Sequence, residues 1–393
     1  MTGLPLLAGV TVLEYAQYVA GPLTGMLLAD LGATLIKVEP PGGDAYRHLD
    51  PVEPGLSRYF AALNRGKRSV VLDLKSEEGR RQNSRLLERA DIVIHNFLPK
   101  RARLFGLDWD AVRRLNPQAV LCTVSGFGPE GPLAGNPAYH LVVQAWSGLL
   151  LTGVHPWDRL PVRAGGIPVA DLTAVKKPAV GALAGLFRTR FTGQGAHIET
   201  SLLAAALAVQ LQDLTSLGPS ADSPPAGPVG PEKLRRQARL VGRRLALNPY
   251  YRCYRARDGY LAVACLNVNQ RLRFLSVLGL QDPDVENPDR LPASLSAYRR
   301  RRALVREIEG IIAGDTVGAW VEKLQSAGVP AGPVRSLEAA VADPQVLVNA
   351  LVRQASGPGG RPVTLLGSLW WVDGRPNGVR TQIPELSEAG DEF

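Results

Sequence analysis

The first 125 residues alternate between short apolar runs and helical segments, and this alternation limits the fold more than any other feature. Val10–Tyr15 and Thr34–Val38 have strand character, and Gly21–Leu31 between them has the spacing of a helix. The alternation recurs as strand, helix, strand, helix, strand over Ser69–Leu74, Glu77–Arg89, Asp91–Asn96, Trp109–Leu115 and Ala119–Ser125. Strands joined by helical crossovers run parallel. The sequence therefore predicts an α/β fold with a parallel, nucleotide-fold type sheet.

The turn after the first predicted strand reads AQYVAGPLTG and contains only Gly21 and Gly25. A dinucleotide site needs Gly-x-Gly-x-x-Gly at this turn, because the backbone must approach a pyrophosphate closely. The sequence therefore does not support a dinucleotide site.

The rest of the chain divides by composition into a large domain, a linker and a small domain. Residues 218–231 are rich in Pro, Gly and Ser, as in an exposed connection between domains. We expect a large domain over 1–217, a linker over 218–231, a small α+β domain over 232–329 and a C-terminal segment over 330–393. In the small domain we expect strands near Tyr250–Arg255 and Tyr260–Cys265 and helices over 270–278, 296–313 and 317–327.

Composition and charge exclude several classes of protein. No apolar run reaches about 18 residues and the N-terminus lacks the basic region of a signal peptide, so we expect a cytoplasmic protein without a membrane partner. The 3 cysteines have no Cys-x-x-Cys spacing, which favours reduced thiols and no metal site. The formal net charge of +9 indicates attraction to an anion, whether nucleic acid, a membrane surface or a phosphate-rich cofactor. Aromatic residues make up only 6%, which disfavours nucleic acid.

Asp171 lies near the start of a segment rich in small residues. The segment reads PVADLTA at 168–174 and continues as GALAGLFRTRFTGQG at 181–195. Asp171 could act as a nucleophile and carry a transferred group as a covalent adduct. It could instead cap a helix by accepting hydrogen bonds from backbone N–H groups. Because Pro178 would clash inside a helix, we expect the helix to start near Pro178 and Asp171 to lie in a loop.

Two cations follow Asp171 in sequence. Lys176 and Lys177 would either attract a dicarboxylate and lower the pKa of Asp171, or be exposed side chains at the start of a helix. The sequence leaves both interpretations open.

Seven segments, spread in order over nearly the whole chain, share the pattern of one family. They are LEYAQYVAGPLTGMLLADLGATLIKVEPPGGDAYR (13–47), NRGKRSVVLDLKSEEG (64–79), ADIVIHNFLP (90–99), GFGPEGPLAGNPAYHLVVQAWSG (126–148), the Asp171 segment (168–203), DGYLAVACLNVNQ (258–270) and GVPAGPVRSLEAAVADPQ (328–345). The chain resembles the family III CoA-transferases, the group of formyl-CoA transferase and carnitine CoA-transferase, with α-methylacyl-CoA racemase as a divergent branch. The resemblance implies a Rossmann-like parallel-sheet large domain built from both chain ends, an inserted small α+β domain and a homodimer of interlocked rings.

The resemblance also implies a site for coenzyme A, bound as a substrate and not as a permanent cofactor. A ligand rich in phosphate needs fixed cations and backbone N–H groups, although a charged turn can also simply face water. The implied contacts are Val38, Arg65, Lys67, Arg68, Leu74, Lys75, Asn96, Phe97 and Arg103. Pro40 and Pro41 stand where the family often has a basic residue, which places the 3′-phosphate contact there in question.

For catalysis, the resemblance implies an acyl-CoA:carboxylate CoA-transferase with Asp171 as nucleophile, passing through a mixed anhydride and an aspartyl-CoA thioester. Tyr139 stands where the racemases have a histidine; a phenol ionises at about pH 10 and is a poor base, which favours transfer over racemisation. His140 could orient Asp171, bind an acidic acceptor or be structural. Gln17 and Tyr18 are implied residues of the acceptor pocket, with ordinary loop packing as the alternative.

The family's glycine-rich lid falls on Leu266–Gln270, which reads LNVNQ without glycine. Asn267 and Asn269 could therefore contact the acceptor instead. A racemase and a catalytically silent CoA-binding subunit are the alternatives to the transferase.

Overall fold

The computed structural model describes residues 5–49, 51–53, 56–152, 167–215, 228–234, 236, 248–288, 292, 294–356 and 362–386. The chain divides into two compact units. The first comprises residues 1–150, 163–224 and 343–393, and the second comprises 151–162 and 225–342. Most of the expected linker lies outside the described residues.

The described elements are numbered here in chain order. The strands are β1 (Thr11–Glu14), β2 (Thr34–Glu39), β3 (Pro51–Glu53), β4 (Leu56–Ser57), β5 (Arg68–Val71), β6 (Ile92–His95), β7 (Val120–Ser125), β8 (Ala196–Ser201), β9 (Tyr251–Arg255), β10 (Tyr260–Ala264), β11 (Ala331–Pro333), β12 (Val352–Ser356), β13 (Pro362–Leu366), β14 (Trp371–Val372) and β15 (Arg375–Pro376). The helices are α1 (Ala20–Asp30), α2 (Arg58–Asn64), α3 (Glu77–Leu87), α4 (Pro99–Leu104), α5 (Trp109–Leu115), α6 (His140–Trp146), α7 (Val169–Ala174), α8 (Lys176–Thr192), α9 (Leu202–Val209), α10 (Leu211–Leu214), α11 (Val268–Leu278), α12 (Leu295–Ile312), α13 (Val317–Ser326), α14 (Leu337–Val341) and α15 (Pro344–Val348). Short 3₁₀ helices span Ala45–His48 and Leu149–Leu151.

The first unit is built on a six-stranded sheet with the order β5-β2-β1-β6-β7-β8. Every neighbouring pair in it is parallel. The predicted α/β fold with a parallel sheet is therefore confirmed. The direction of winding reverses between β1 and β6, and in such sheets ligands bind outside the carboxyl ends of the strands at this point.

Helices cover both faces of the central strands, which explains why these strands are continuous apolar runs. Successive side chains of β1 point to opposite faces. Val12 packs with Leu28 of α1 and Ala182 of α8. Leu13 packs in a separate cluster with Leu87 of α3 and residues near α5. The sheet thus separates two cores and leaves its strand ends open to loops.

The small residues of GALAG let α8 lie directly on the sheet. A Cβ atom added at Gly185 would come within 2.6 Å of Val120 Cγ1 on β7. One added at Gly181 would come within 2.4 Å of Ile198 Cγ2 on β8. Any side chain at these two positions would push α8 off the sheet.

The second unit contains the antiparallel sheet β11-β10-β9, packed against α11, α12 and α13. The strands and helices expected between 250 and 327 are present within one or two residues of their predicted ends. The predicted end of the small domain at 329 is wrong, because β11 pairs with β10 across Leu261 and Pro333. The chain joins the first unit again only from Asp343.

Candidate active site

Two cavities open at the carboxyl edge of the six-stranded sheet. The first cavity, of about 280 Å³, lies beside the ends of β1, β6 and β7, where the winding reverses. Its walls include Gln17, Tyr18, Asn96, Phe97, Arg101, Ser125, Tyr139 and Asp171. The second cavity, of about 340 Å³, lies beside the ends of β2 and β5. Its walls include Gln17, Val38, Pro40, Pro41, Leu74, Lys75, Phe97 and Arg101.

Asp171 lies in the first turn of the short helix α7. The expectation that it lies in a loop was therefore wrong. Pro178 does limit the next helix: α8 starts at Lys176, and Pro178 falls in its first turn, where its missing N–H costs no hydrogen bond. Val175 is the only residue between the two helices. The nucleophile candidate is thereby attached to the helix that packs on the sheet.

Burial in the cavity wall raises the pKa of Asp171 to about 6. The carboxylate is still the major form at pH 7, but it is more basic than an ordinary aspartate and hence a better nucleophile. Of the two interpretations left open for Lys176 and Lys177, a lowered pKa of Asp171 is not the one that the structure gives, because burial raises this pKa. Lys176 is exposed, and burial lowers the pKa of the half-buried Lys177.

His140 is the neighbour of Asp171, with its Nδ1 atom 3.8 Å from Asp171 Oδ2. It is the first residue of α6, and Tyr139 is the N-cap of this helix. The structure thus brings the three predicted catalytic residues, Asp171, Tyr139 and His140, to one region. At 3.8 Å the two side chains are neighbours, and they form an ion pair only when His140 is protonated.

Tyr18 and Tyr139 line the first cavity, and Tyr46 packs against Tyr18. The Tyr139 and Tyr18 hydroxyl oxygens are 3.4 Å apart, and their rings meet edge to face. Tyr46 also meets the Tyr18 ring edge to face, with centroids 5.4 Å apart. Burial, followed by the charge of Asp171, raises the pKa of Tyr46. Tyr46 was not among the predicted site residues, because only the three-dimensional fold brings the 3₁₀ helix that contains it next to Tyr18.

Tyr18 has a positive φ of 70°, which is costly for a bulky side chain. The turn that contains it is fixed by Asn96. The Gln17 N–H donates to Asn96 Oδ1 at 3.2 Å, and Asn96 Nδ2 donates to the Gln17 carbonyl at 2.8 Å. Asn96, predicted as a coenzyme A contact, therefore joins the loops that follow β1 and β6, and it keeps Gln17 in the walls of both cavities.

Four other predicted coenzyme A residues line the second cavity: Val38, Leu74, Lys75 and Phe97. They lie at or just after the carboxyl ends of β2, β5 and β6. Pro40 and Pro41 form part of the same wall. Arg68 and Arg103 are exposed and belong to neither set of lining residues.

The structure gives Arg65 and Lys67 a different role from the predicted one. Arg65 is fully buried and paired with Asp30 of α1. Lys67 is buried as well, and its Nζ donates to both carboxylate oxygens of Glu14, at 3.0 and 2.7 Å. Both cations therefore neutralise buried carboxylates instead of facing a phosphate. A basic turn sequence cannot reveal this, because the partners lie in other segments of the chain.

A buried charge network, made of Glu14, Lys37, Asp44 and Lys67, lies beneath the tyrosines. Lys37 Nζ is 3.0 Å from Glu14 Oε1 and 2.8 Å from Asp44 Oδ2. Asp44 in turn accepts a hydrogen bond from the Tyr46 N–H at 2.9 Å and so caps the 3₁₀ helix that contains Tyr46. The network thereby connects the ends of β1 and β2 to the tyrosines near Asp171.

Asn267 and Asn269, the predicted substrate contacts in the small domain, lie at the start of α11. Asn267 is the N-cap: its side chain accepts from the Gln270 N–H at 2.9 Å, and the Gln270 side chain closes a capping box. Asn269 is exposed. The LNVNQ sequence thus contains the start of α11, with Asn267 and Gln270 forming its cap.

Arg101 is the functional candidate that the sequence analysis missed. It belongs to both sets of lining residues, together with Gln17 and Phe97. In the sequence it is one of three cations in PKRAR, and nothing in that pattern selects it over Lys100 or Arg103. Only the position of α4 relative to the two cavities identifies it.

Metal ligands and membrane spans can be assessed for the described ranges. In these ranges no three His, Cys, Asp or Glu side chains cluster as a metal site would require. None of the described helices is both long enough and apolar enough to span a bilayer.

Comparison with known proteins gives matches over nearly the full length. A sequence model described as CoA-transferase family III matches residues 7–389. The succinate–glutarate CoA-transferase of Agrobacterium fabrum is 35% identical over 363 residues, covering 88% of this chain and 84% of that protein. The acetyl-CoA:oxalate CoA-transferase of Acetobacter aceti is 30% identical over 362 residues, covering 91% and 89%. A crystal structure of a CAIB/BAIF family protein from Brucella suis matches with a TM-score of 0.77 at 30% identity, covering 98% and 97%.

Proposed function

Because the chain belongs to the CoA-transferase family III, we propose that it transfers coenzyme A from an acyl-CoA to a small carboxylic acid through covalent intermediates on Asp171. The observation that carries this proposal is the position of Asp171. Asp171 lines the first cavity, beside the point where the direction of winding reverses between β1 and β6. Burial raises the pKa of its carboxyl group to about 6.

The reaction needs no net proton transfer. The Asp171 carboxylate attacks the thioester carbonyl, the carbon–sulfur bond breaks, and a mixed anhydride and the CoA thiolate result. The thiolate attacks the aspartyl carbonyl, which releases the first carboxylate and leaves an aspartyl-CoA thioester. The acceptor carboxylate attacks this thioester and frees the thiolate again. The thiolate then attacks the acceptor carbonyl, giving the new acyl-CoA and restoring Asp171.

The residues around Asp171 suit the charges that develop in these steps. Each tetrahedral intermediate carries an oxyanion, which hydroxyl donors stabilise. The hydroxyls of Tyr18 and Tyr139, 3.4 Å apart in residues that line the first cavity, are the donors that we assign to this role. His140 would orient the carboxylate from its 3.8 Å distance.

We assign the adenosine end of coenzyme A to the second cavity, with Lys75 as a phosphate ligand, and the acceptor to the first. The first cavity, at about 280 Å³, suits a small acid. The two relatives compared above are named for oxalate and for succinate and glutarate, which supports a dicarboxylate as acceptor. This assignment gives no role to the Leu266–Gln270 segment, including Asn267 and Asn269.

The proposal is tested by trapping the enzyme-bound acyl group. The protein is incubated with succinyl-CoA and hydroxylamine, digested and examined by mass spectrometry. We expect a hydroxamate on the peptide that contains Asp171, because hydroxylamine attacks both the anhydride and the thioester. The same treatment of Asp171→Asn should leave this peptide unmodified.

Other outcomes would redirect the proposal. If succinyl-CoA, acetyl-CoA and oxalyl-CoA all bind but leave no adduct, the transferase mechanism on Asp171 is wrong. Deuterium uptake at the α-carbon of a branched acyl-CoA would then indicate a racemase. Binding without exchange would indicate a silent subunit.

We also propose that the protein acts as a homodimer. The α8 helix presents Val180, Phe187 and Phe191 to solvent in the single chain, with Phe187 68% and Phe191 75% exposed. The rings of Phe187 and Phe191 contact each other, with centroids 4.7 Å apart. A contiguous apolar surface of this kind on a helix favours a protein partner, and we assign it to a second copy.

Replacing both Phe187 and Phe191 by Arg is expected to remove the dimer, because two charges would be buried unpaired in the interface. The matched control replaces both by Leu, which keeps the surface apolar. Sedimentation equilibrium should report a dimer for the wild type and the Leu variant, and a monomer or misfolded protein for the Arg variant. A monomeric wild type would contradict the proposal.

A further inference from the structure

Arg101 connects the two cavities of the candidate active site. It is the third residue of α4, which follows β6 at the reversal of the sheet. Among the described residues that line the cavities, it is the one cation common to both. A ligand that extends from one cavity into the other would therefore lie close to its side chain.

The side chain of Arg101 is exposed, but aromatic rings restrict its direction. Its guanidinium carbon lies 5.4 Å from the centroid of the Phe97 ring and 5.5 Å from that of Phe105. These two rings contact each other edge to face. Such contacts orient the planar guanidinium while its N–H groups stay available for an anion. No carboxylate within the described ranges is recorded as its ion-pair partner.

The chemistry of coenzyme A determines which group meets Arg101, and this step rests on the proposed function. In the proposed binding mode, the thioester of the acyl-CoA lies at Asp171 in the first cavity and its adenosine lies in the second. The pantetheine arm and the diphosphate then lie between the two cavities. Only the diphosphate of these two is anionic, and a guanidinium binds it through two parallel hydrogen bonds. Pro40 and Pro41 provide no cation on the second cavity wall, while Lys75 remains for the 3′-phosphate.

We propose that Arg101 binds the diphosphate of coenzyme A where the two cavities meet. It is a substrate-binding residue in this role and takes no part in bond making. Its loss should therefore weaken the binding of every ligand that contains the diphosphate, whatever the acyl group.

The test measures dissociation constants by calorimetry for coenzyme A, dephospho-CoA and pantetheine, in the wild type and in Arg101→Ala. We expect Arg101→Ala to bind coenzyme A and dephospho-CoA about tenfold more weakly, since a charge-assisted hydrogen bond at an exposed site contributes on this order. The affinity for pantetheine, which lacks the diphosphate, should not change. In steady-state assays KM for the acyl-CoA should rise while kcat is retained.

Lys100→Ala is the matched control, because Lys100 is exposed on the same helix and lines neither cavity. It should bind all three ligands as the wild type does. Dephospho-CoA lacks only the 3′-phosphate. If Arg101→Ala weakens the binding of coenzyme A but not that of dephospho-CoA, Arg101 binds the 3′-phosphate and the proposal is wrong. An equal loss for pantetheine, or a larger loss in Arg103→Ala, would overturn it as well. Failure of the wild type to bind coenzyme A would instead contradict the proposed function itself.

Discussion

Asp171→Asn is expected to lower kcat at least about a thousandfold and to leave the dissociation constant for coenzyme A within about twofold. The amide cannot form the anhydride, so no other residue at the cavity replaces its chemistry. The fold should persist, because the substitution removes a half-buried charge and keeps the shape of the side chain. Initial rates with succinyl-CoA and a panel of dicarboxylates, together with calorimetry of coenzyme A, measure both quantities.

Two further measurements make this prediction specific to the carboxylate. Asp171→Glu keeps the charge but moves it by about 1 Å, and we expect a loss of about a hundredfold from misalignment alone. In the wild type, the single-turnover rate of acylation should fall tenfold per pH unit below about pH 6 and level off above it, because only the ionised carboxylate attacks. A kcat in Asp171→Asn above a tenth of the wild-type value would rule out Asp171 as nucleophile.

The second large effect concerns stability. Glu14→Gln is expected to lower the free energy of unfolding by about 3–5 kcal/mol, because it leaves the buried ammonium groups of Lys37 and Lys67 with Asp44 as the remaining carboxylate of the network. The change keeps the size of the side chain, so the cost is electrostatic. Urea unfolding at one fixed protein concentration, followed by circular dichroism, measures it.

Glu130→Gln makes the same chemical change at an exposed position between β7 and α6. It should alter the free energy of unfolding by less than about 0.5 kcal/mol. A cost below about 1 kcal/mol for Glu14→Gln would mean that the network contributes little to the fold, and that the site above it is stabilised by other contacts.

The parallel sheet could be predicted because its signal is local. The β-branched and apolar runs and the helical spacing between them both lie within short windows of the first 125 residues. The position of Asp171 near Tyr139 and His140 was predicted only through a family resemblance. The sequence around Pro178 suggested a loop, because a one-turn helix such as α7 leaves no periodic pattern.

Roles that depend on long-range partners could not be predicted. Arg65 and Lys67 look like phosphate ligands until Asp30 and Glu14 are found beside them. Arg101 is equally hidden, because its neighbouring cations in PKRAR have the same sequence signal and only the cavities distinguish them. Burial and pairing depend on the tertiary fold, and a charged turn has the same composition in either case.

The two glycines of α8 have a consequence for the choice of substrate. They hold the helix against β7 and β8, and a single residue joins it to the turn that contains Asp171. In the proposed mechanism, this packing holds the Asp171 carboxylate in place relative to the sheet. We therefore expect the enzyme to select acyl donors by length. A donor whose thioester carbon does not reach the Asp171 carboxylate, or extends beyond it, should react slowly even when it binds tightly.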